Sequence, residues 1–294
     1  SLRSDGWWWP LSAEEALQAL ENFVRFALPH FGAYQDALAP GQPTLFHSLL
    51  SFALNLKILH PQQVISRAIE EYHSAGSGKI SVSSLEGFVR QILGWREFMR
   101  QYYQAVMPGF RESNVLNASR LLPDWYWTGQ TSMACLSQGI RDSLENSYAH
   151  HISRLMVTGN FALLAGVHPD ELDRWYLGVY IDAFEWVEIT NTRGMSQYAD
   201  GGGVASKPYA ASAAYIQRMG GPCKACGYNP ALRHGQGACP LNSLYWGFID
   251  QHQEHWKKNP RMAMPLRTWG KFSAEERESI RKQQAYYLST MNSL

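Results

Sequence analysis

Residues 83–108 read SSLEGFVRQILGWREFMRQYYQAVMP. Ser83 and Glu86 stand at the spacing of a capping box, in which a serine hydroxyl accepts an N–H of the first helical turn and the glutamate reaches back to the serine's own amide. Beyond them Phe88, Ile92, Trp95, Met99 and Tyr102 recur at the spacing of one helical face, and Pro108 supplies the stop. The same pattern appears at Ser12 to Glu15, which precedes Ala16 to Phe26 with Leu17, Leu20, Phe23 and Val24 on one side. Pro61 sits where a first-turn proline belongs, ahead of Val64, Ile65 and Ile69. Further helices are expected from Asp142 to Thr158, with Leu144, Tyr148, His151 and Leu155 on one stripe, and from Glu171 to about Glu185 after the Pro169 turn. No stretch alternates with period two for long enough to read as a strand, so the expected fold class is all-α, one helical domain over residues 1–294. Glycines gather at Gly201 to Gly203 and from Gly220 to Gly237, which marks Asn191 to Cys239 as mostly loop, long enough to need pinning.

Composition narrows the class of protein. Hydrophobic residues make up 45% and charged residues 17% of the 294, which is ordinary for a folded chain and argues against disorder. Apolar stretches such as Phe161 to Val167 fall far short of the roughly 20 residues a membrane-spanning helix needs, and no basic-then-apolar leader opens the sequence, so a cytoplasmic protein without membrane contact is expected. Ser1 and Leu2 read as an expression scar ahead of an aromatic run, and a fragment is expected. The net charge of +1 conceals an asymmetry: from Gly201 to Lys271 there are nine Lys and Arg against two acids, Asp250 and Glu254. Aromatics interleave with these charges (Tyr209, Tyr215, Tyr228, Tyr245, Trp246, Trp256, Trp269). That pattern suits a solvated basic surface or a face that meets phosphates and stacks on bases.

Four cysteines remain, Cys135, Cys223, Cys226 and Cys239, the last three spaced C-x2-C-x12-C. A large chain without a secretion signal gives disulfides little support, and metal ligation is the better reading. Zinc and iron-sulfur centres accept the same thiolates, and spacing alone favours zinc.

The residues around these ligands point to a family. Cys223-Lys-Ala-Cys226-Gly-Tyr-Asn, followed by Gly235-Gln-Gly-Ala-Cys239-Pro240-Leu-Asn242-Ser-Leu-Tyr245-Trp246, resembles the cluster loop of the iron-sulfur bacterial cryptochrome/photolyase family, and the steps of 88, 3 and 13 residues between ligands are similar too. His47-Ser48-Leu49-Leu50-Ser51-Phe52-Ala53-Leu54-Asn55-Leu56, then Leu59-His60-Pro61, resembles that family's segment around the FAD phosphates. Phe31-Gly-Ala-Tyr34-Gln-Asp36-Ala37 and Gln91-Ile-Leu-Gly-Trp95-Arg96-Glu97-Phe98 resemble its flavin-site motifs.

The resemblance implies the C-terminal, helical FAD-binding domain of such a protein, with the N-terminal α/β antenna domain absent. It implies FAD held by Tyr34, His47, Ser48, Leu49, Leu50, Ser51, Gln91, Arg96, Arg154, Asp182 and Glu188, and a [4Fe-4S] cluster on Cys135, Cys223, Cys226 and Cys239, zinc being the alternative. Arg154 and Asp182 match the pair beside the flavin ring, and Glu188 the group near its N5. His151 matches the histidine that photolyases of the (6-4) class use on their lesion, where repair needs a proton as well as an electron. The second histidine of the animal enzymes, four residues later, is Leu155 here. Tyr209 and Tyr215 match positions lining the lesion pocket, with Lys207 near a phosphate. Trp175, Tyr176 and Trp127 match the path of flavin photoreduction, and Trp186 is expected against the ring. The implied function is light-dependent repair of UV-damaged DNA, with the pyrimidine-pyrimidone (6-4) lesion as the expected substrate, by a monomeric DNA photolyase. Two alternatives stay open: a cryptochrome-like blue-light receptor, and a zinc-stapled helical nucleic-acid-binding module without catalysis.

Overall fold

The computed structural model describes residues 8–294 except 40, 77 and 221; Ser1 and Leu2 lie outside the described residues. Among those described there are sixteen α-helices and no strand, only the isolated bridges Arg120 to Val167 and Asn229 to Ala238. No helix is long and apolar enough to cross a membrane.

The first half is built by α1 (Ala13–Asn22), α2 (Leu28–Tyr34), α3 (Ser51–Asn55), α4 (Pro61–Ser74), α5 (Val82–Arg90) and α6 (Glu97–Val106). Ser12 caps α1 as its spacing demands, accepting from the Glu15 amide at 3.1 Å, while Glu15 accepts from the Leu11 amide at 2.7 Å. Pro61 occupies the first turn of α4, with the His60 ring accepting from the Gln62 amide. The expected box at Ser83 is displaced: Ser81 caps α5 through the Ser84 amide, and Glu86 pairs with Arg90 one turn on. An earlier start costs nothing here, because Ser81 and Ser84 present the same donor and acceptor groups. Leu20, Phe23, Phe31, Val64, Phe88 and Ile92 form the core of this half. Gly32 permits its closest contact. A Cβ there would lie 2.9 Å from the Ser84 backbone nitrogen, and instead the Gly32 amide donates to Ser84 Oγ at 3.0 Å.

The second half holds α7 (Ala134–Asn146), α8 (His151–Ser153), α9 (Gly159–Ala165), α10 (Pro169–Val179), α11 (Glu185–Ile189), α12 (Ala213–Met219), α13 (Pro240–Gln251), α14 (Gln253–Trp256), α15 (Ala263–Gly270) and α16 (Ala274–Ser289). Its core gathers Trp125, Tyr126, Leu136, Phe161, Trp175, Leu244, Trp256, Trp269 and Ile280. Two expected helices are each two helices. The stripe from Asp142 to Thr158 breaks at Ser147, which takes a left-handed backbone (φ 51°), and the chain restarts at His151 with the His150 ring as cap. The segment from Glu171 to Glu185 stops at Val179, and the turn after it carries Asp182 before α11 begins. Helical periodicity continues through both breaks, which is why spacing alone does not reveal them.

Four π-helical turns, Phe23–Ala27, Gln91–Arg96, Arg154–Thr158 and Thr190–Ser196, interrupt otherwise continuous helices. Such turns free a carbonyl from the helical ladder and re-aim a side chain, and they concentrate at working sites. Three of these carry or end on Arg96, Arg154 and Arg193. The seam between the two cores is bridged by polar groups: His47 to Tyr148, Ser51 and Asn55 to Asp182, and Trp9 to the Asn146 carbonyl.

Candidate functional site

Arg154 stands at the seam. Its Nη1 and Nη2 donate to the two oxygens of Asp182 at 2.9 and 3.3 Å, its Nε donates to the Ala149 carbonyl at 2.7 Å, and its guanidinium lies 3.9 Å from the Tyr180 ring centroid and 5.1 Å from that of Tyr148. Burial opposes the charge, yet Asp182 and the tyrosines hold the Arg154 pKa above its ordinary value. Asp182 is locked from the other half as well: Ser51 Oγ donates to its Oδ2 at 2.7 Å and Asn55 Nδ2 to its carbonyl at 2.9 Å. The expected pair is therefore formed. Ser51 contributes to it rather than standing free for a phosphate.

Three imidazoles lie beside it. His47 and His150 have ring centroids 3.6 Å apart, His150 and His151 4.6 Å, and His47 and His151 5.6 Å. His47 donates from Nε2 to the Gln35 carbonyl at 3.2 Å and meets the Tyr148 hydroxyl through Nδ1 at 3.0 Å. Burial first, and then His151, push His47 down to about 4, and burial with the two neighbouring rings pushes His150 down to about 2. His151 is exposed and bonded to Asp36 Oδ1 at 3.0 Å. The Asp36 charge in turn adds to burial in raising the Tyr215 pKa, and Tyr209 lies near enough to contribute. His151 and Tyr215 thus face Asp36, with Tyr209 near Tyr215. Tyr215 and His150 line one cavity together with Gln138, Asp142, Ser153 and Met156.

Other expected groups lie elsewhere around the seam. Tyr34 is exposed and packs on Phe46, Gln91 is exposed, and the Ser48 hydroxyl sits 3.5 Å from the Leu50 amide. Leu49 takes a left-handed backbone and Leu50 is buried in the first core. Arg96 is half-buried, donates to the Leu54 carbonyl at 3.3 Å and stacks 5.0 Å from Trp186, so Trp186 is partnered by a cation. Glu188 is buried, with Asp173, Thr192 and Arg193 as its electrostatic and hydrogen-bonding neighbours. Burial, and then Asp173, raise it well above the ordinary carboxylate range; burial raises Asp173 to about 6.

That displacement has a sign. A carboxyl whose folded pKa lies above its unfolded value contributes most to stability below the unfolded pKa, near 4.5, and loses that contribution as pH rises through the folded one. E188Q removes a proton-linked group without changing its size. The unfolding free energy of the variant, measured in urea at pH 5, 7 and 8.5, is expected to decline less with rising pH than that of the parent. The difference is bounded by about 1.4 kcal/mol per pH unit.

Trp175 and Tyr176 are buried next to each other, with centroids 5.5 Å apart. The Tyr176 hydroxyl donates at 2.5 Å to the Arg154 carbonyl, which also accepts the Gly159 amide that closes the π turn. The ring that continues this stack is Tyr126, 5.2 Å from Trp175, with Trp125 4.8 Å beyond it; Trp127 turns outward and is 58% exposed. The alternation of aromatics at 125–127 hides which of the three faces inward.

All four cysteines are free thiols and line one small cavity with Met133, Ile216, Tyr228 and Leu241. Cys135 also borders the larger cavity of His150 and Tyr215. Burial pushes the Cys239 thiol up to about 12 and raises Cys135 further, each helped by the other sulfurs. Lys207, Lys258 and Lys271 are exposed, as the basic segment requires.

Comparison with known proteins follows this geometry. No family model matches the chain. A (6-4) photolyase of Agrobacterium fabrum is 47% identical over 278 residues, 95% of this chain and 54% of that protein. The chain belongs to the bacterial photolyase/cryptochrome family. It spans about half the length of that curated relative. Among solved structures, a bacterial class III photolyase from Agrobacterium tumefaciens aligns with TM-score 0.57 and 16% identity, over 97% of this chain and 57% of its own. A cryptochrome from Synechocystis aligns with TM-score 0.62 and 14% identity, over 96% and 57%. Both share the helical fold.

Photolyase/cryptochrome membership implies FAD. The seam fits such a guest: Arg96 Nε is buried there without a protein partner, a charged donor left for a bound acceptor. Sequence reading did not anticipate Asp36 as the partner of His151, the two tyrosines around Arg154, or Tyr126 in the aromatic stack. Asp36 lay in a quoted motif, but a contact 115 residues distant leaves no local signal.

Proposed function

We propose that this chain is the flavin- and cluster-holding part of a light-driven DNA repair lyase acting on the pyrimidine-pyrimidone (6-4) lesion. The observation that carries the reading is the Arg154–Asp182 pair, largely buried at the seam next to His47 and His150, on which His151 stacks. Bound, reduced FAD supplies the light-excited electron. Arg154 would provide the positive charge that favours an anionic reduced flavin, with Asp182 fixing its orientation, and Glu188 is assigned to the N5 side of the ring. His151 delivers and recovers a proton at the lesion, while Tyr209 and Tyr215 flank the flipped-out bases and the basic segment with Lys207 meets the phosphates. Trp175, Tyr176 and Trp127 remain assigned to photoreduction, with Tyr126 bridging within the stack.

A [4Fe-4S] centre on the four cysteines belongs to the same proposal. Zinc, with bonds of about 2.3 Å, would draw four sulfurs to about 3.8 Å from one another. The four sulfurs share one small cavity, and analysis of iron, zinc and acid-labile sulfide separates the two centres.

The test uses the whole protein, purified and flavin-loaded, on an oligonucleotide bearing one (6-4) lesion under blue light. Repair is expected, with a loss of about a hundredfold or more in H151A. Flavin that bleaches in light without repairing the lesion would assign the chain to light reception, and a colourless zinc protein would leave only nucleic-acid binding.

A further inference from the structure

We propose that Asp36 is a positioning residue for His151, which deepens the function proposed above and rests on it. The loop after α2 brings the Asp36 carboxylate to 3.0 Å from His151 Nε2. A carboxylate only accepts, so Nε2 carries the proton and, in the neutral ring, the lone pair is on Nδ1. Nδ1 then becomes the nitrogen that gives or takes the proton during reaction, and the ring is held in one tautomer and one orientation, as in other carboxylate-oriented imidazoles.

The surroundings make this partner necessary. His151 stacks on His150, which stacks on His47; both of those rings are held neutral by burial, and Arg154 adds repulsion to each. Tyr215, with Arg218 over its ring at 5.6 Å, faces Asp36 from α12. An imidazolium at His151 therefore has neutral rings and cations around it, and the Asp36 carboxylate balances its charge. The bond correspondingly lowers the Asp36 pKa, with His151 as the leading cause.

The same three imidazoles come within 4.8 Å and could be taken for a metal site. Their nitrogens argue otherwise. His47 is engaged at both, and His150 accepts the Ile152 amide at Nδ1, so its Nε2 bears a proton and offers no lone pair.

The experiment is carried out on the flavin-loaded protein with 15N-labelled histidine, the His151 signals being assigned by their absence in H151Q. In the parent, the ring nitrogens are expected to report the Nε2–H tautomer. D36A is expected to give a mixture of tautomers and to lower the rate of (6-4) repair about tenfold to a hundredfold, with the alkaline limb of the pH–rate profile moved to lower pH. D36N, which keeps an acceptor oxygen but not the charge, is expected to retain the tautomer and still show the moved limb. Asp36 is exposed, so neither variant threatens the fold. An unchanged tautomer in D36A, or an unmoved pH limb in both variants, overturns the proposal. The tautomer measurement needs no lesion, so a protein that repairs nothing would sink the proposed function while leaving the Asp36–His151 contact tested on its own.

Discussion

C239S is expected to emerge from purification without iron and with a melting temperature lowered by about 10 °C or more. Cys239 sits at the start of the buried α13, and the exposed loop before it is tied down by hydrogen bonds rather than by burial. Gly235 and Gly237 take left-handed backbones, Asn229 pairs with Ala238 and the Gly237 carbonyl, and the Ala238 carbonyl receives the Tyr287 hydroxyl at 2.6 Å from α16. These contacts orient the loop without burying much of it. In the absence of a centre the buried thiol stays protonated, since burial already carries it to about 12, and bringing four thiolates together without a cation is more costly still. Serine fills nearly the same volume, so the effect reads ligation and not a cavity. Iron, zinc and acid-labile sulfide measured on the same sample, alongside calorimetry, check the result. Full iron content with an unchanged melting point in C239S would remove Cys239 from the ligand set.

How far the sequence carries depends on whether the signal is local. The Ser12 cap, Pro61 in a first turn and the stripe through Phe88, Ile92 and Met99 are legible because they depend on neighbours within a turn or two. Ser147 and the Tyr180 to Phe184 turn were not legible, because their flanking residues keep helical spacing and carry no proline or glycine at the break itself. Yet those two irregularities build the site: one swings Tyr148 and His150 toward His47, and the other presents Asp182 to Arg154. The pairing of Arg154 with Asp182 was reached through family resemblance and is found here. Glu188 has Asp173 and Arg193 as neighbours because α11 packs on α10 and the π turn after it, contacts that its spacing from Asp182 does not reveal. Long-range partners such as Asp36 for His151 follow from packing two cores together, which no single stretch encodes.

D182A is expected to destabilise the protein by about 3–5 kcal/mol, the range for removing one partner of a buried ion pair. The side chains of Arg154 and Asp182 are only 21% and 10% exposed, so the guanidinium left behind cannot recover its hydration without opening the seam. It would keep the Ala149 carbonyl and the Tyr180 face, which soften the loss, while Ser51 would lose its acceptor, weakening one tie between the two halves. R154M should cost a comparable amount. The double variant R154M/D182L, which leaves no lone charge, should fall short of the sum by more than about 1 kcal/mol, because contacting residues couple. Urea unfolding of the four proteins measures this, and it should be done on flavin-free protein, since a bound ligand adds its own stabilisation in proportion to the logarithm of its concentration. Flavin absorbance per chain in the loaded samples then reads the second consequence. If the pair orients Arg154 for the cofactor, D182A retains less FAD than the parent even where both are folded. If D182A stays within 1 kcal/mol of the parent and binds flavin fully, the carboxylate neither anchors the seam nor serves the site, and Arg154 must be held by its carbonyl and tyrosine contacts alone.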